Sequence, residues 1–153
     1  DDQFKFEECN FLSLPFPDNS FDAVICFRLL THEKNWAILI KEMCRVSRSV
    51  IIIDYPDIRS FNIMYKIMFN FKKQFEKNTR TFRSFSRSEL KIEFKKFGFN
   101  KFEFHPQYFL PMVAHRALKH EKISRISENL FRIIGLQYLF GTPVILKINS
   151  LSK

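Results

Sequence analysis

Two apolar runs of strand length, Phe21-Asp-Ala-Val-Ile-Cys-Phe27 and Ser49-Val-Ile-Ile-Ile-Asp54, bracket a stretch in which Trp36, Leu39, Ile40, Met43 and Val46 recur at helical spacing. Near-continuous apolar runs, rather than alternation, mark strands buried on both faces. The stretch between them predicts a helix over Asn35–Val46 with one buried stripe, and Trp36 belongs to that stripe. Strand, helix and strand in this order predict a right-handed crossover in a parallel sheet. The second strand ends at Asp54-Tyr-Pro-Asp57, because Pro56 has no N–H to extend a ladder.

On either side of this unit the pattern is more varied. Phe4–Glu8 roughly alternates and predicts a short strand; Leu14-Pro-Phe-Pro-Asp-Asn-Ser20 predicts a turn. Ile58–Lys77 is a long amphipathic segment rich in Phe, Met, Tyr and Lys. Ser86, with Glu89 three residues on, forms a capping box that opens a helix over Arg87–Phe97, and Gly98 closes it. A strand at Lys101–His105, a loop from Pro106 to Pro111, helices at Met112–Lys119 and Glu121–Ile134, and a last strand at Thr142–Ile148 complete the expected elements.

A chain of 153 residues, 46% of them hydrophobic, suffices for one domain and excludes a disordered or collagen-like protein. No uncharged stretch approaches the roughly 20 residues of a spanning helix. Cys9, Cys26 and Cys44 have no zinc-type spacing, so no metal is expected. They read as free buried thiols of a cytoplasmic protein, and the acidic N-terminus is unlike a secretory signal. Charge is divided. Residues 1–58 hold six Lys and Arg against ten Asp and Glu, a balance of −4, and residues 59–153 hold nineteen against six, a balance of +13. The basic part would attract acidic ligands or an anionic membrane face; a solvated cationic surface accounts for it equally.

Leu14-Pro-Phe-Pro-Asp-Asn-Ser-Phe-Asp-Ala-Val24 resembles the segment that leads into the fourth strand of class I S-adenosylmethionine-dependent methyltransferases. Leu30-Thr-His32 resembles the loop after that strand, Lys41-Glu-Met-Cys-Arg-Val46 the Glu-x-x-Arg-Val helix, and Ser49–Asp54 the fifth strand. Thr81–Gly98 resembles the helix before the sixth strand, and Gly141-Thr-Pro-Val-Ile145 the final strand. Ser47-Arg-Ser49 replaces the family's usual Pro-Gly-Gly turn. The resemblance implies an α/β fold: an incomplete Rossmann-like sheet holding strands 3, 4, 5, 6 and 7 of the family order 3-2-1-4-5-7-6. All three glycines lie at 98 or beyond, so the family's glycine-rich cofactor loop is not among these residues. The chain is therefore expected to be the C-terminal portion of such a domain, with 1–153 a single partial domain and 58–81 a lid over the acceptor.

The resemblance also implies a site. S-adenosyl-L-methionine would lie against Cys9, Asn10 and Phe11 at its adenine end and Cys26, Phe27 and Arg28 at its methionine end. Asn10 can accept from the adenine amino group or serve only as a turn residue; Arg28 can meet a carboxylate or be solvated. His32 is the candidate general base, against a helix-entry or packing role. Asp54 and Tyr55 end the fifth strand at the same crevice. With Tyr65, Phe69, Tyr108, His115 and Arg116 they are the candidate acceptor pocket, Tyr65 and Phe69 being equally readable as core. Glu42 and Arg45, three apart on a helix, read as a structural pair. The expected function is methyl transfer to a small-molecule or lipid-like acceptor, with peripheral membrane contact open to it and neither nucleic acid nor an obligate protein partner expected. The alternatives are a basic non-catalytic module binding anionic membrane or nucleic acid, and a degenerate, inactive homologue.

Overall fold

The computed structural model of the protein describes residues 4–60, 83–109, 126 and 129–150. Over these, the two apolar runs form strands β1 (Phe21–Cys26) and β2 (Ser47–Tyr55), joined by helix α1 (Trp36–Val46). The strands pair in parallel, with Val24 beside Ile51 and Cys26 beside Ile53. Helix α2 (Arg87–Lys95), strand β3 (Phe99–Tyr108), the short helix α3 (Leu136–Phe140) and strand β4 (Thr142–Ser150) follow. The sheet order is β1-β2-β4-β3, with β4 antiparallel to both neighbours. This is the 4-5-7-6 portion of the order implied by the resemblance.

Alternation across the sheet decides where the core lies. Ile51, Ile53 and Tyr55 of β2 pair with Ile148, Leu146 and Val144 of β4, and all six are buried. They pack with Leu39, Ile40 and Met43 of α1 and Leu90 and Phe94 of α2 in one cluster. The next residues along each strand, Val50, Ile52 and Asp54 against Asn149, Lys147 and Ile145, face the other way and are only half-buried. Helix α2 begins as its capping box requires, with the Ser86 hydroxyl accepting from the Glu89 N–H at 3.1 Å. The chain turns after it at Gly98, whose φ of +85° few other residues tolerate. At Gly141 the need is space, since a Cβ there would sit 2.8 Å from the Pro106 side chain.

Three expectations need correction. Phe4–Glu8 forms no strand and its side chains are exposed, so the described sheet has four strands rather than five. Alternation alone cannot make a strand. It needs a ladder partner, and among the described residues the one strand paired with β1 is β2. Strand β3 runs on through Pro106 to Tyr108, where a loop was expected. It is the outer strand on its side, paired only with β4, and an edge position tolerates a proline. Cys9 is exposed, whereas Cys26 and Cys44 are buried as expected. Met112–Lys119, Tyr65, Phe69, most of the 58–81 lid and most of Glu121–Ile134 lie outside the described residues.

Arg45 ties the approach to β1 down onto α1. Its guanidinium donates to the carbonyls of Leu14 at 2.9 Å and Phe16 at 2.7 Å, and to the Asp18 carboxylate at 2.9 Å. Glu42 accepts from Arg45 Nε at 3.0 Å and Nη2 at 2.9 Å, and from the Leu14 N–H at 2.9 Å. The structural pairing of Glu42 and Arg45 is thus present, and it extends to the turn. Hydrogen bonding from Arg45 is the main reason the Glu42 carboxyl is held below the usual carboxylate range, aided by the Leu14 N–H.

Two outcomes follow from this architecture. The outer edge of β1 carries exposed Phe21 and Ile25 and no described strand covers it, and such an edge recruits further chains. In gel filtration the isolated 153-residue chain should give species larger than its 18.5 kDa monomer, increasingly so at higher concentration. A cooperative, monomeric melt would refute this. A carboxyl with a depressed folded pKa stabilises above its unfolded pKa and loses that contribution as pH falls through the folded value. The Leu14 amide proton should therefore titrate in NMR with a midpoint below the ordinary 4.5 of a Glu side chain. In the Arg45→Ala variant that midpoint should move back up.

Candidate functional site

Strands β1 and β2 run in parallel, so both end at the same side of the sheet, and ligands of open α/β sheets collect in the crevice beyond such carboxyl ends. Strand β1 ends at Cys26, and the chain turns through Arg28 in a left-handed conformation, φ +57°. The backbone N–H of Arg28 donates to Asp54 Oδ1 at 2.6 Å. Asp54 comes from the end of β2, so this bond locks the β1 turn to its neighbour. The structure thus brings together Cys26, Arg28 and Asp54, three of the residues picked from sequence. Phe27 lies between them with half of its surface exposed.

Cys26 is no nucleophile in this setting. Burial, aided by the Asp54 charge and opposed by a hydrogen bond with the Leu30 backbone, pushes its thiol up to about 11. It therefore stays protonated at neutral pH and packs as a small apolar group. His32 closes the short 3-10 turn Leu30–His32 and is exposed, with its backbone N–H bonded to the Leu29 carbonyl at 3.0 Å. The Asn10 side chain caps its own turn, its amide oxygen accepting from the Leu12 N–H at 2.9 Å. Phe11 packs against the core, while Cys9 is exposed. Tyr55 points to the covered face, 1% exposed, with its ring edge-on to Phe85 at 6.5 Å. Burial first, then the Asp57 charge, raise its hydroxyl well above the usual phenol range. That hydroxyl has no hydrogen-bond partner among the described residues. Tyr108 ends β3 with half its surface exposed, and His115 and Arg116 lie outside the described residues.

A second set of contacts, not anticipated from sequence, holds residues 83–87 against the carboxyl ends of the parallel pair. The Thr31 hydroxyl donates to the Arg83 carbonyl at 2.6 Å, and the Arg83 N–H returns to the Thr31 carbonyl at 2.9 Å. The Arg83 guanidinium stacks over Trp36 at 4.8 Å and pairs with Glu89. Beside it, the Phe85 N–H donates to the Pro56 carbonyl at 3.0 Å, and the Ile58 N–H to the Phe85 carbonyl at 3.1 Å. Asp57, 2% exposed, then meets Arg87 Nε at 3.0 Å and the Arg59 N–H at 3.0 Å. One signal for this pair was available. Arg87 occupies the first turn of α2, where the helix dipole disfavours a cation, so a cation there calls for an acidic partner. Among the described residues no group of three or more His, Cys, Asp or Glu could hold a metal ion.

A family model described as a methyltransferase domain matches residues 1–50. No curated protein sequence matches the chain. Among solved structures, a S-adenosylmethionine-dependent methyltransferase from Thermotoga maritima is similar at 19% identity and a TM-score of 0.60, covering 93% of this chain and 61% of that one. The magnesium protoporphyrin IX methyltransferase of Synechocystis, solved with bound S-adenosylhomocysteine, is similar at 12% identity and a TM-score of 0.56, with 93% and 49% covered. A [4+2]-cyclase is similar at 18% identity and a TM-score of 0.55, with 95% and 55% covered. The chain thus spans about half to two-thirds of the length of these structures, and its fold is that of the class I methyltransferases, an α/β sheet of Rossmann-like type.

The three thiols should differ in reactivity. At pH 8, iodoacetamide followed by mass spectrometry should give one fast adduct, on Cys9. Cys26 and Cys44 should react at least about a hundredfold more slowly, because both are buried and burial pushes both thiols up.

Proposed function

We propose that this fold serves S-adenosylmethionine-dependent methyl transfer to a small-molecule or lipid-like acceptor. The observation that carries the reading is the junction of Cys26, Arg28 and Asp54 at the shared carboxyl end of the parallel pair. It is supported by the methyltransferase-domain match over residues 1–50, which contain the β1 side of that junction.

The residues present fit one side of such a cofactor. Phe27 offers an exposed ring and Arg28 an exposed cation suited to a carboxylate. The Asn10 amide oxygen, with one lone pair committed to Leu12, keeps a second for an amino group. No glycine lies on this side to let backbone approach the ligand closely, so these residues supply part of a binding site. The cofactor, when bound, supplies an electrophilic methyl group on a sulfonium.

This chain's own part is then orientation and proton handling. Asp54 holds the turn that carries Phe27 and Arg28, so alignment of the two reactants depends on it. His32, exposed at the end of the neighbouring turn, takes the acceptor's proton where the acceptor is not already a free nucleophile. The Thr31–Arg83 bonds keep that turn in place. A second reading, a homologue of the same fold that does not transfer methyl groups, is supported by the likeness to a [4+2]-cyclase.

Calorimetric titration with S-adenosylhomocysteine tests the first reading. Heat of binding is expected, weakened about tenfold in Asp54→Ala, where the β1 turn loses its anchor. No heat with either S-adenosylhomocysteine or S-adenosylmethionine would defeat it.

A further inference from the structure

Between β3 and β4 the chain leaves the sheet and carries apolar side chains outward. Leu130, Ile133, Ile134, Tyr138, Leu139 and Phe140 are all exposed, Ile133 by 81% and Tyr138 by 63%. Helix α3 buries none of its residues. Yet it is firmly attached. Gln137 Nε2 donates to the carbonyls of Pro106, at 3.3 Å, and Gln107; Arg87 Nη2 donates to the Tyr138 carbonyl at 3.1 Å. Gly141 lets the chain pass close to Pro106. The apolar side chains are thus held in water by a fixed backbone, and clustered exposure of this kind marks an interaction surface.

The stretch of sequence that holds the patch is cationic, and this says what it meets. Residues 110–140 contain five Lys and Arg (Arg116, Lys119, Lys122, Arg125 and Arg132) against Glu121 and Glu128, within a part of the chain that carries +13. Arg132 is exposed among the apolar residues. Aliphatic side chains with a tyrosine, an exposed arginine among them and further cations close by in sequence complement a bilayer whose interior is apolar and whose headgroups are anionic. We propose that the surface formed by residues 129–140 docks the protein on an anionic lipid bilayer. The proposal concerns a different part of the molecule from the β1–β2 crevice and stands independently of the methyl-transfer reading.

Flotation with phosphatidylglycerol–phosphatidylcholine vesicles, against vesicles of phosphatidylcholine alone, tests it. The protein should float with the anionic vesicles, and high salt should weaken this. The double variant Ile133→Glu with Leu139→Glu should bind at least about tenfold more weakly, and Arg132→Glu should show an intermediate loss. All these side chains are exposed, so circular dichroism should be unchanged. Ile25→Glu, on the remote exposed edge of β1, should bind as the parent does. The proposal is overturned by absence of binding, by equal binding to neutral vesicles, or by binding that the double variant retains. Equal loss in Ile25→Glu would mean general stickiness and overturn it too. If the double variant abolishes self-association in a protein that never binds vesicles, the surface is a protein interface instead.

Discussion

Arg45 is the point on which the N-terminal half of the structure turns. The segment before β1 contains Pro15 and Pro17, which have no N–H, so it has few backbone donors with which to pair its own carbonyls. A guanidinium presents five donors in a rigid fork, and here they reach the carbonyls of Leu14 and Phe16, the Asp18 carboxylate and Glu42. Glu42 in turn accepts the Leu14 N–H. Helix α1 is thereby joined to the turn that launches β1, and β1 enters beside β2. The parallel pair is thereby anchored at the end where β1 begins.

The carboxyl end of the sheet is fixed by a different device. Two buried polar contacts, Thr31 with Arg83 and Asp57 with Arg87, hold residues 83–87 against the ends of β1 and β2. A nearly inaccessible carboxylate such as Asp57 is tolerable only because charged and backbone donors surround it. These bonds constrain geometry more than they add stability, which suits a crevice whose function would depend on aligned groups. The apolar excursion around α3 is tied to the same corner, since Arg87 reaches both Asp57 and the Tyr138 carbonyl. A single arginine therefore links the carboxyl end of the sheet to the exposed apolar surface around α3.

Much of this was legible from local pattern. The runs at Phe21–Phe27 and Ser49–Asp54, the stripe Trp36–Val46 and the Ser86–Glu89 box each became the expected element, because each depends on residues close in sequence. Where a neighbour was required, pattern failed. Phe4–Glu8 roughly alternates yet forms no strand, and Pro106 sits inside one because β3 lies at an edge. The site divides in the same way. Cys26, Arg28 and Asp54 come together as their places at strand ends suggest, because strand ends are readable. The contacts of Thr31, Arg83 and Arg87 beside it were not anticipated, because these partners lie 30 or more positions apart.

The sequence by itself determined the parallel β1–α1–β2 unit, since apolar runs and a helical stripe have few other ways to bury themselves. It also determined the sharp division of charge. Only the tertiary structure decided that Asn10 commits one lone pair of its amide oxygen to its own turn and that Cys26 is a packed, protonated thiol. It likewise decided that Tyr55 faces the core while Asp54, one residue earlier, faces the other side and holds the Arg28 turn. The reason is that alternation along a strand specifies two faces but not which of them a helix will cover. That choice is made when α1 and α2 pack on the face of Ile51, Ile53 and Tyr55.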